Sequence, residues 1–113
     1  MTDIRSTDRD TWAGALDQLT LDHKDEHATI EVVDAEAGYE TEAQRLPFAY
    51  LDYDPKDDVV IVAVGGATRA FPVVLRHIVS HPVEVDVAVD GGLRIVAEDG
   101  AVTLVTFFGD AER

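Results

Sequence analysis

Val83-Glu84-Val85-Asp86-Val87-Ala88-Val89-Asp90-Gly91-Gly92-Leu93-Arg94-Ile95-Val96-Ala97 alternates apolar and polar residues on both sides of an Asp-Gly-Gly turn. A period of two sends successive side chains to opposite faces of a strand, so the stretch predicts an antiparallel hairpin with one face buried. Asp99-Gly100 turns the chain again into Val102 to Phe108, which makes a three-stranded meander.

Upstream, Val59 to Val64 is an unbroken apolar run, the pattern of a strand covered on both faces. Asp54-Pro55-Lys56-Asp57 forms the turn before it, with Pro55 setting the corner. The preceding segment, from about Thr41 through Leu46-Pro47-Phe48 to Tyr53, reads as a strand in which Pro47 requires an edge position or a bulge. Ala28, Ile30 and Val32 alternate with Thr29 and Glu31, a further half-buried strand. Residues 65–82 are ambiguous: Pro72 could open a short helix over 73–78, but β-branched residues and Pro82 favour an extended 70–80.

Helical spacing occurs once, near the start. Trp12, Leu16 and Leu19 fall on one stripe, behind Thr7 as an N-cap and Asp8 and Asp10 in the first turn, which predicts a helix near 8–22. The expected fold is therefore α+β. One domain spans 1–113, with the helix packed on a strongly bent antiparallel sheet of six or seven strands (about 27–108), a partial barrel. A single helix covers only part of one sheet face, whereas Val59 to Val64 asks for cover on both. Either the sheet curls around the helix or a second copy covers the remaining face, so a homodimer is the expected partner.

The chain has 23 Asp plus Glu against 9 Lys plus Arg, a net charge of −14, and only two lysines, Lys24 and Lys56. Such self-repulsion opposes a compact state unless salt screens it; in molar salt the Debye length falls to about 3 Å. The composition points to a halophilic protein of the cytoplasm, which should lose its fold on desalting. It also argues against nucleic-acid and anionic-membrane partners, which need clustered cations. Without cysteine there are no disulfides, thiolate metal sites or cysteine nucleophiles. The first residues form no apolar signal segment, and no stretch is apolar for long enough to span a bilayer as a helix.

Leu46-Pro47-Phe48, Tyr53-Asp54-Pro55-Lys56-Asp57-Asp58-Val59, His77-Ile78 with His81-Pro82 and Val85, and Asp99-Gly100 give the chain a family likeness. It resembles a family of small archaeal and bacterial proteins classed as a domain of unknown function, in which a Trp-bearing N-terminal helix precedes similar segments. The likeness covers most of residues 10–108. It implies a shared fold and an intracellular setting, and it carries over no activity, cofactor or catalytic residue.

No motif spells out a reaction. His23 with His27 and His77 with His81 have the i, i+4 spacing that chelates a metal from a helix, but along a strand that spacing separates them by about 13 Å. Tyr53 to Asp58 lacks the glycine corner and distal Glu of an EF-hand. Ser80 beside His81 would point to the opposite face of a strand, and no Gly-x-Ser-x-Gly occurs. Gly65-Gly66 with Arg69 could form an anion-binding nest, although a bulge or tight turn is the commoner reading of such a pair.

The strongest functional clue is a gap. Residues 59–83 contain no Asp or Glu, where the average density would place about five. The candidate ligand-binding residues there are Arg69, Arg76, His77 and His81. If clustered, they would draw a small anion or an acidic protein surface; otherwise each pairs with a neighbouring strand. The expected function is a non-catalytic, self-associating interaction module. The alternatives are a small-anion binder using Arg69, Arg76 and His77, and, last, a small hydrolase or metal-binding protein. No metal and no cofactor is expected.

Overall fold

The computed structural model describes residues 9–34, 36, 38–65, 73–88 and 91–109, and the backbone of 4–6. A 3₁₀ turn at Arg9–Thr11 leads into α1, Trp12–Asp22, and the expected cap Thr7 lies outside the described residues. The stripe read from the spacing faces inward: Trp12, Leu16 and Leu19 are the buried residues of α1.

The strands are β1 (Ile4–Ser6), β2 (His27–Asp34), β3 (Gly38–Asp54), β4 (Val59–Val64), β5 (Leu75–Ser80), β6 (Pro82–Val87), β7 (Leu93–Ala97) and β8 (Val102–Phe108). All pairings are antiparallel, in the order β1-β6-β7-β8-β2-β3-β4-β5. The expected meander is β6–β7–β8, and the ambiguous segment is extended at β5. Seven strands match the expectation, and the three-residue β1 ahead of the helix adds an eighth among the described residues.

β3 bends the sheet into a half-barrel. Its first part pairs with β2 and its last part with β4, and Pro47 stands between the two. At each of three register shifts, two along β2 and one along β4, the extra residue belongs to β3. A bulge turns and twists the strand that carries it. Arg45, in this bulged stretch, takes a positive φ of 51°, and its N–H donates to Thr29 Oγ1 at 3.0 Å. Pro47 thus stays in register with His27 between the bulges, on a strand that is not an edge, and its carbonyl accepts from Gly65 N–H at 2.7 Å.

The concave side holds the core. Phe48, Leu51 and Tyr53 of β3, Val60, Val62 and Val64 of β4, Val79 of β5 and Ile30, Ile95 and Val105 from the other strands pack with the α1 stripe in one cluster. Trp12 meets Tyr53 edge to face at 5.2 Å. Each aliphatic side chain buried this way contributes about 1.5–3 kcal/mol. At the end of β4, Gly65 has a φ of 113°, and the space its Cβ would fill is taken by Val74. Gly66 and Arg69 lie outside the described residues.

Candidate functional site

The two sequence pieces most specific to the family resemblance, Tyr53 to Asp58 and His77 to Pro82, meet in space. The β3–β4 turn carries Asp58 and the one-residue β5–β6 corner carries His81, and both take left-handed backbones with φ of 55° and 53°. The His81 N–H donates to the Asp58 carbonyl at 2.8 Å. The Asp58 carboxylate accepts from the Tyr53 hydroxyl at 2.8 Å and from His81 Nδ1 at 3.3 Å, and the Arg9 guanidinium lies 3.6 Å away. Arg9 also donates to the Pro82 carbonyl at 3.2 Å and stacks over the Trp12 ring. These contacts tie the helix start, a hairpin turn and a strand corner into one knot.

The knot's electrostatics follow from its donors. The Tyr53 hydrogen bond first, then His81 and Arg9, hold the Asp58 carboxyl below its ordinary range against its partial desolvation. Burial, followed by the neighbouring carboxylate, pushes the Tyr53 hydroxyl up. Left-handed non-glycine residues cost free energy and persist only where their surroundings over-determine them. Here hydrogen bonds and an ion pair supply that determination.

The other candidate residues divide between the faces of β5. His77 points inward beside a cleft of about 230 Å³ lined also by Thr103, Ser80 and Asp99, with its Nε2 3.1 Å from Thr103 Oγ1. Desolvation lowers its pKa, with Glu42 opposing weakly. Arg76 points outward, and its Nε donates to the Tyr50 hydroxyl at 3.0 Å. Arg76 and His77 therefore do not share a site, and His81 belongs to the Asp58 knot. The remaining pair is also separated: His23 caps α1, stacks on Phe107 at 3.9 Å and contacts Glu26 at 2.7 Å, while His27 opens β2. Among the described residues no three His, Cys, Asp or Glu gather as metal ligands.

Neither His23 nor His81, the two histidines paired with carboxylates, lines the His77 cleft. Neither lines the wider groove of about 570 Å³ on the meander, where Arg94 sits between Glu84 and Asp86. A paired histidine in an enclosed cleft is the arrangement acid–base catalysis needs.

The convex side of β3, β4 and β5 is different in kind. Pairing aligns Tyr50, Ala63 and Arg76 in one row and Asp52, Ile61 and Ile78 in the next. Ala63 is fully buried yet stands outside the core cluster, because Tyr50 and Arg76 join hands above it. Ile78 is 53% exposed and Val74, just ahead of β5, is 73% exposed. The second face of β4 thus has no covering element among the described residues, and β5 is the sheet's edge. Tyr50 and Asp52 escaped the sequence reading because they lie outside the acid-free window; only strand pairing puts them beside it.

A family described as "Family of unknown function (DUF5335)" matches residues 3–111. An uncharacterized protein of Aquifex aeolicus (strain VF5) is 30% identical over 97 residues, 86% of this chain and 74% of that protein. No solved structure matches the chain significantly. No helix of the described residues is long and apolar enough to cross a membrane.

Proposed function

The chain belongs to the DUF5335 family of unknown function, and we propose that it is a non-catalytic interaction module that self-associates through the convex face of β3, β4 and β5. One observation carries this reading: β4 is apolar on both faces, its concave face packs in the core, and among the described residues no helix or strand lies over its convex face, where Tyr50 and Arg76 cover Ala63 but Val59 and Ile61 stay partly exposed beside an open Ile78. Open apolar sheet surface beside an unpaired edge is a standing invitation to association. A molecule of net charge −14 can bring two copies together at least cost where acids are sparse, and β4 and β5 contain none.

The alternatives draw less support. An anion held jointly by Arg76 and His77 would have to reach both faces of one strand. The composition supports a salt-rich cytoplasm as the setting, in which screening lets such acidic bodies approach. Light scattering after size exclusion in molar KCl tests the reading. The expected mass is above the 12.3 kDa monomer for the wild type and for Leu21→Glu, an exposed helix position, but monomeric for Ile78→Glu. Association that survives Ile78→Glu contradicts it.

A further inference from the structure

The convex face carries two charges that its own chain does not use in any ion pair among the described residues. Arg76 is held by the Tyr50 hydroxyl and has no carboxylate within ion-pair range, in a protein where acids outnumber bases by more than two to one. Asp52, exposed on the same face, has no cation partner among the described residues. They stand two strands and one row apart, with Ala63 and Ile61 between them on β4. Sheet spacings put their backbones roughly 12 Å apart, so they do not meet within one chain.

That placement is self-complementary. A two-fold axis in the plane of the face, passing between Ala63 and Ile61, exchanges the Arg76 corner with the Asp52 corner. Resting on the self-association proposed above, we infer that two copies pack convex face to convex face, with Arg76 of each paired to Asp52 of the other around an Ile61 and Ile78 centre. Isologous contacts of this kind are closed, so assembly stops at two. The apolar centre supplies the burial, and the two ion pairs set the orientation, because a wrong rotation brings Asp52 against apolar surface and leaves Arg76 unmatched. Tyr50 holds the Arg76 side chain flat over Ala63, which reduces what it must lose in freedom on binding.

The test is a charge-swap cycle read by sedimentation equilibrium in molar KCl, with circular dichroism to establish that each variant is folded. Arg76→Asp and Asp52→Arg are each expected to weaken dimerisation about tenfold or more, and the double variant to regain it to within a few-fold of wild type. Singles that both weaken association without rescue in the double overturn the two-fold pairing, as do singles that leave it unchanged. Ile78→Glu separates the two levels of the argument. If it abolishes the dimer while the charge variants behave as wild type, the face is right and this orientation is wrong. If the dimer survives Ile78→Glu, or the wild type is a monomer throughout, both fall together.

Discussion

Asp58 shows how much of this protein's individuality rests on single side chains in unusual backbone. Its carboxylate takes hydrogen bonds from Tyr53 and His81 beside the Arg9 guanidinium. Tyr53→Phe keeps the edge-to-face contact with Trp12 and removes one of those bonds, so equilibrium unfolding should report a loss of about 0.5–1.5 kcal/mol. Because the folded Asp58 pKa is depressed, its contribution is present above the unfolded carboxyl value. It is lost as pH falls through the folded one. Asp58→Asn should therefore be less stable than wild type at neutral pH, with the gap closing at strongly acid pH.

His77 works in the opposite pH range. Its folded pKa lies below the ordinary imidazole value because burial disfavours the cation. The unfolded chain then binds a proton that the folded one refuses. Stability is full above roughly pH 6.5 and falls as pH drops from there toward the folded pKa. Melting temperatures of His77→Gln should fall less than those of wild type between neutral pH and the mildly acid range; an equal fall would place the titration elsewhere. None of this was legible in the sequence. The extended reading of this segment already separates His77 from His81 as chelating partners, but only the strand pairing and its corner show one turned inward to Thr103 and the other to Asp58.

At the scale of elements, regular patterns were readable and irregular ones were not. The helical stripe of Trp12, Leu16 and Leu19 follows one period and the structure follows it too. The alternation after Val83 gives the expected strand, although a register shift at the start of β6 leaves Val83 exposed and Asp86 is buried beside Arg94. β3 breaks period: its bulges shift successive residues between faces, so Pro47 signals an irregularity without disclosing that the strand serves two partners. β1 is three residues long, too short for any period to register. The Tyr50, Ala63 and Arg76 row gives a test at this scale. Ala63→Leu should force the Tyr50 and Arg76 side chains apart and cost about 1–3 kcal/mol through overpacking. A neutral result would mean that Ala63 is not the floor of that bridge.

Over the whole molecule two opposing tendencies meet. The acid-rich body repels its own kind, while strands β4 and β5 of the convex face carry no acid. Charge is legible directly from composition, whereas the open face could be anticipated only as a problem of cover, since a run apolar on both sides does not say which side the helix takes. Helix α1 takes the concave side through Trp12, Leu16 and Leu19, leaving Val59, Ile61 and Ile78 on the other. Desalting should unfold the protein cooperatively, seen as a collapse of the thermal midpoint on moving from molar to low KCl. An unchanged midpoint would remove the salt-rich setting while leaving the face untouched.

Sedimentation equilibrium of the wild-type chain across a wide concentration series in molar KCl reaches the central claim most directly. Self-association through the uncovered face predicts a reversible transition from 12.3 kDa to twice that mass as concentration rises. A single monomeric species over the whole series would contradict it.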